Sequence, residues 1–178
     1  ELKKSPLFAI SRCGIELAHS NFWKWLIDIE DDKRNHPFIE VFIPDFYNNG
    51  YSFPDVKREE WHRDLSIHYK DEQNNAYCFV VESKIKSIPT QKQLDHYKDK
   101  IESAKREKFG GGVLTGIVET LTPKNGWKFL SYKEIAARIK YINELQKVNI
   151  GNFYYETIAQ YAKDLRNIYS MGTHLHYS

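Results

Sequence analysis

The chain has 178 residues, 41% of them hydrophobic and 15% aromatic, with mixed charges that sum to +2. That content supports one compact core and excludes an intrinsically disordered chain. No stretch approaches the ~20 apolar residues of a membrane-spanning helix, and the small net charge excludes a strongly basic nucleic-acid coat while leaving room for a local cationic cleft.

In chain order, residues 11–30 read as a helix, because Ile15, Ala18, Phe22, Trp25, Leu26 and Ile29 recur at helical spacing and Ser11 can cap it. A polar loop follows from Asp31 to Pro37. The apolar run Phe38, Ile39, Val41, Phe42 and Ile43 fits either helix or strand, Asn48-Asn49-Gly50 is a turn signal, and Val56 to Trp61 reads as a first strand. Leu65, Ile67 and Tyr69 alternate with Asp64, Ser66 and His68, the period of a strand. After the polar turn Asp71–Asn75, Tyr77 to Val81 is continuously apolar, as a central strand buried on both faces should be. The two runs predict an antiparallel hairpin.

Thr90 and Gln93 form a capping-box pattern that opens a helix running to about Lys108, with Leu94, Tyr97, Ile101 and Ala104 inward and Gly110-Gly111-Gly112 as its stop. Val113 to Val118 and Trp127 to Leu130 read as strands separated by a turn at Pro123–Gly126. Ser131 and Glu134 form a second capping box for a helix through about Gln146, and a last helix covers Tyr155 to Tyr169. The order predicts an α/β fold, a sheet with helices packed on its faces. Residues 1–178 read as one domain, with a core over about 11–140 and C-terminal helices over about 132–170.

Cys13 and Cys78 are the two cysteines, with no CxxC or Cys/His cluster in the spacing, so no structural zinc site is expected. Cysteines without a disulfide framework point to a reducing, cytoplasmic setting. No signal peptide is visible; the chain begins at Glu1 and its one methionine is Met171, so the native start is expected upstream.

The chemistry is carried by the hairpin. Glu82 and Lys84 stand two apart in the apolar strand, so their side chains leave the same face, while Val81 and Ser83 point the other way. If Tyr69 faces Tyr77, Asp64 faces Glu82; a register slip of one is the alternative. Two opposed carboxylates repel each other unless a cation sits between them, and hard oxygen ligands suit Mg²⁺. Metal on Asp64 and Glu82 would supply an acidic water and a Lewis acid for phosphodiester hydrolysis. Lys84 would stabilise charge on the phosphate, and the backbone carbonyl of Ser83 could also reach the metal. The bland alternative is a solvated strand face, with Asp64 in an ordinary salt bridge to Arg63 or Lys84.

These residues resemble the PD-(D/E)xK nuclease superfamily, in particular a bacterial branch with a Glu-x-x-His-Ser helix near its start. The matching segments are Glu16-Leu17-Ala18-His19-Ser20 with Trp23 to Leu26, Arg63-Asp64-Leu65-Ser66-Ile67, Val80-Val81-Glu82-Ser83-Lys84-Ile85, Gln93-Leu94 with Tyr97, and Leu130-Ser131-Tyr132. The resemblance implies a restriction-endonuclease-like αβββαβ core, a mixed sheet flanked by helices, with extra C-terminal helices. It implies that Glu16 joins Asp64 and Glu82 as a third acid at the metal, that Gln93 belongs to the catalytic group, and that Tyr97 borders the substrate. The Gln93–Tyr97 spacing is similar to that of RecB-type nucleases. The proline of the family name is absent, since His62-Arg63 precedes Asp64, and Ser83 stands where this branch often has Asn.

The implied activity is a Mg²⁺-dependent deoxyribonuclease, with Mn²⁺ able to substitute, nucleic acid (DNA) as partner, no membrane, and a homodimer left open. The rivals are a non-catalytic nucleic-acid-binding or regulatory module on the same fold, and an interaction domain held by ordinary salt bridges. His19 reads as a packing or hydrogen-bonding residue that could touch substrate, and Tyr97 as a core residue whose hydroxyl could face the site. Lys98, Lys100, Lys105, Arg106 and Lys108 form a basic stretch that is either a solvated face or a contact to the nucleic-acid backbone. His174 and His176 resemble a metal-binding pair but read as a frayed tail.

Overall fold

The computed structural model describes residues 15–84 and 90–176. The elements are α1 (Ile15–Ile27), β1 (Ser52–Arg58), β2 (Leu65–Lys70), β3 (Ala76–Lys84), α2 (Gln91–Ser103), β4 (Lys108–Gly116), β5 (Trp127–Ser131), α3 (Tyr132–Gln146) and α4 (Gly151–His176). Short 3-10 helices cover Pro37–Val41 and Glu60–His62. The ambiguous apolar run is thus a 3-10 turn, started by Pro37 and tied to α3 where Arg138 Nη1 donates to the Val41 carbonyl at 2.8 Å. The first strand lies earlier than expected, because Glu59, Trp61 and His62 all take positive φ and end the extended chain.

The five strands lie in sequence order; β1–β2 and β2–β3 are antiparallel, β3–β4 and β4–β5 parallel. The mixed, helix-flanked sheet follows from the strand patterns. One face of β2 and β3, with Leu65, Ile67, Tyr69, Phe79 and Val81, joins a large core shared with α1, the Pro37–Val41 turn, α3 and α4. Trp23, Phe38, Ile135, Ile139 and Leu165 are fully buried there. The opposite face, with Cys78 and Val80, packs under Leu94, Tyr97 and Ile101 of α2 and Trp127 of β5. β3 is therefore covered on both sides, which is why its sequence is continuously apolar.

Other boundaries also differ from expectation. α2 stops at Ser103, and β4 already begins at Lys108, so the three glycines are strand residues rather than a helix stop. Cys78 pairs with Phe109 and Phe79 with Gly111, which makes Gly110 the extra residue of a bulge; a Cβ there would collide with the Tyr69 hydroxyl. β4 ends at Gly116 rather than Val118. The last helix is longer than its apolar pattern, starting at Gly151 and running to His176. The side chains of His174 and His176 lie outside the described residues.

Candidate active site

The hairpin sets the site. Tyr69 faces Tyr77, and Leu65 faces Val81. The next pair in that register is Asp64 and Glu82. Asp64 stands just before β2 and reaches across: its Oδ2 accepts a hydrogen bond from the Ser83 amide at 2.6 Å, and its own amide points at Glu82 Oε2 at 3.4 Å. The two acids are thus held at one spot by backbone groups of the opposite strand, as the unslipped register requires.

Glu82 is 1% exposed. Its Oε1 meets Lys84 Nζ at 2.8 Å, Gln93 Nε2 at 3.4 Å and the Tyr97 hydroxyl at 3.4 Å. Burial pushes its carboxyl up to about 7, the Asp64 charge pushes the same way, and Lys84 opposes both. An acid held this far from its ordinary range by desolvation and a like charge is a common mark of a functional site.

α2 supplies the cover. Thr90 caps it by accepting from the Gln93 amide. Gln93 does not complete a capping box, because its side chain turns away to Glu82 and, at 3.0 Å, to the Tyr97 hydroxyl. That hydroxyl also lies 3.0 Å from the His62 carbonyl, which ties α2 to the loop before Asp64. Burial raises the Tyr97 phenol, so it stays a neutral donor.

The structure brings together Asp64, Glu82, Ser83, Lys84, Gln93 and Tyr97. His19 stands one step away: it is 4% exposed, its Nδ1 lies 2.7 Å from the Tyr161 hydroxyl, and its ring packs edge-on against Tyr132 at 5.0 Å. This enclosure supports its packing role rather than substrate contact. Glu16 lies on α1, but its side chain is outside the described residues.

Tyr132 is a site neighbour that sequence reasoning gave no role. Fully buried at the first position of α3, its hydroxyl meets Ser83 Oγ at 2.9 Å. Its signals were the Leu130-Ser131-Tyr132 segment of the family resemblance and its place directly after the Ser131 cap, whose reciprocal box with Glu134 is present as expected. A second group also escaped the cysteine spacing: among the described residues, His68, Cys78 and Glu107 bring ligand atoms within 4.8 Å of one another.

Of the basic stretch, Lys98 and Lys100 are on α2, Lys105 and Arg106 in the following turn, and Lys108 opens β4; all but the half-buried Lys98 are exposed. Among the described residues no helix is long and apolar enough to cross a membrane.

Comparison with curated proteins and with solved structures gives no match. The family model of the PD-(D/E)XK nuclease superfamily matches residues 7–176. That span takes in the helix, the hairpin, the Gln93–Tyr97 helix and both C-terminal helices, and the chain belongs to the PD-(D/E)XK nuclease superfamily.

Proposed function

We propose that this nuclease-family chain hydrolyses DNA phosphodiesters with a divalent metal, Mg²⁺ or in its place Mn²⁺. The observation that carries the reading is the meeting of Asp64 with the Glu82–Ser83–Lys84 segment across the hairpin.

The residues fit such an ion. The donors are hard oxygens, and Glu82 is a buried acid driven up to about 7 by desolvation and by its neighbour's charge, a cost that a bound cation relieves. Asp64 and Glu82 would hold the metal, joined by the Ser83 carbonyl and by Glu16. Bound there, it would supply a Lewis acid and an acidic water.

The chain's own groups do the rest. The Ser83 amide fixes Asp64. Gln93 and Tyr97 aim their donors at Glu82 Oε1 and keep that carboxylate in one orientation. Lys84, whose side chain is 17% exposed and whose Nζ lies 2.8 Å from Glu82 Oε1, would stabilise charge on the phosphoryl oxygens of a bound phosphate. The exposed Lys100, Lys105, Arg106 and Lys108 would add long-range attraction for the nucleic-acid backbone.

The test is a cleavage assay on single- and double-stranded DNA and on RNA, with Mg²⁺, Mn²⁺ or chelator. Lys84→Ala should lower the cleavage rate by roughly 100-fold or more while metal binding survives. Full activity of that variant, or cutting that persists in chelator, would refute the assignment. Cutting of RNA alone would overturn the DNA reading and leave the site intact.

A further inference from the structure

A second group of ligand-type side chains lies on the same sheet face as the acids but further down the hairpin. His68 on β2 and Cys78 on β3 are direct cross-strand partners, and Glu107 immediately precedes β4. Cys78 stands four residues before Glu82, about 13 Å away along the strand, so the two places cannot share one ion.

The imidazole of His68 is flanked by carboxylates at both nitrogens: Nε2 lies 2.9 Å from Glu60 Oε2, and Nδ1 lies 2.7 Å from Glu107 Oε1. A neutral ring donates from one nitrogen and accepts at the other. With Nε2–H donated to Glu60, the Nδ1 lone pair faces a carboxylate oxygen, and a positive charge belongs between them. A metal ion there would meet both groups, and the sulfur of Cys78 adds a third donor, with all three ligand atoms within 4.8 Å of one another.

We propose that His68, Cys78 and Glu107 form a site for a thiophilic divalent ion of the Zn²⁺ class, which would clasp β2, β3 and the entrance to β4. Bond lengths of about 2.0 Å to nitrogen and oxygen and 2.3 Å to sulfur demand adjustments of about an ångström from these positions. Glu60 completes the arrangement from behind, holding the second ring nitrogen as a carboxylate commonly does behind a metal-bound histidine. Arg63 lies 3.4 Å from the sulfur and is itself paired with Glu60 at 2.8 Å, so its charge favours the thiolate while two acids outweigh it at the cation. Thiolate and imidazole disfavour Mg²⁺ here, so the two places select different ions.

Cys78 is fully buried, and burial pushes its thiol up to about 11. It is a poor nucleophile in that state. Metal uptake must release the thiol proton to solvent and therefore strengthens as pH rises. The ion would enter from the side of His68 and Glu107, whose side chains are 15% and 27% exposed.

The experiment is titration of the full chain, stripped with chelator, with Co²⁺ alone, read by the near-ultraviolet thiolate-to-cobalt charge-transfer band. The band should appear in the wild type and in Glu82→Gln, be displaced by Zn²⁺, and vanish in Cys78→Ser. Glu107→Gln should weaken Co²⁺ binding at least tenfold, and it serves as the readout if Cys78→Ser does not fold. Absence of the band in the wild type overturns the proposal. So does persistence of the band in Cys78→Ser, or wild-type affinity in Glu107→Gln. None of these outcomes depends on nuclease activity.

Discussion

Glu82→Gln should stabilise the metal-free protein above neutral pH. The wild-type carboxyl has an ordinary value of 4.5 and is raised to about 7, first by burial and then by the Asp64 charge, against the opposing Lys84. Between those values the unfolded chain has already lost its proton while the folded chain keeps it. Stability from this group therefore falls as pH rises from 4.5 to about 7 and is flat above. At about 1.4 kcal/mol per pH unit the loss is about 3 kcal/mol, or roughly 6–12 °C in Tm for a chain of this size. Glutamine keeps an acceptor oxygen for Lys84 and removes the buried charge. The assay is denaturant unfolding of both proteins in chelator at pH 5 and pH 8. The variant should be the more stable at pH 8 and the less pH-dependent. In Mg²⁺ at about 100 times its Kd, the wild type should recover about 2.7 kcal/mol and the variant far less. An unchanged pH slope, or a variant less stable than wild type at pH 8 in chelator, would refute the view that Glu82 is a strained acid waiting for a cation.

Ser131→Ala removes the side-chain half of the capping box that starts α3, since Ser131 Oγ accepts from the Glu134 amide at 3.2 Å and donates to Glu134 Oε2 at 2.7 Å, while the backbone amide of residue 131 still donates to Glu134. It should cost about 1 kcal/mol, seen as a drop of roughly 2–4 °C in a thermal melt. Gly112→Ala places a Cβ 2.5 Å from the buried Trp127 ring, so β4 and β5 must separate or the indole must turn. Overpacking of this kind costs about 1–3 kcal/mol, and calorimetry should show it.

The hairpin register was readable because an aromatic pair, Tyr69 and Tyr77, and a turn of fixed length leave little freedom, and it carried Asp64 to Glu82 without further information. The glycines of β4 were misread for a physical reason. Glycine after a helical pattern usually supplies a left-handed stop, but here the missing Cβ is demanded by neighbours far away in sequence, Tyr69 and Trp127. Gln93 shows a subtler limit. Its spacing from Thr90 fits a cap and its spacing from Tyr97 fits a site, and only the fold shows the side chain turned to Glu82. The convergence of His68, Cys78 and Glu107 was illegible because three separate elements supply the ligands, with no short spacing to betray them.

The geometry of the acids is also set from the far side of the sheet. The Ser83 amide holds Asp64 Oδ2 at 2.6 Å, while the Ser83 hydroxyl, pointing to the other face, meets the Tyr132 hydroxyl at 2.9 Å. Tyr132 is placed by the capping box of α3, so helix start, strand and carboxylate form one mechanical sequence. Both residues are fully buried, and breaking the contact leaves a hydroxyl to be desolvated at about 1–3 kcal/mol. Tyr132→Phe and Ser83→Ala should each destabilise by that order. The double variant should cost less than their sum, with a coupling of about 1 kcal/mol in denaturant unfolding. If Ser83 positions Asp64 through this anchor, Tyr132→Phe should also weaken Mg²⁺ binding measured by calorimetry, an effect that loss of core stability alone would not produce. Additive costs together with unchanged metal affinity would separate Tyr132 from the acids and leave it as a packing residue.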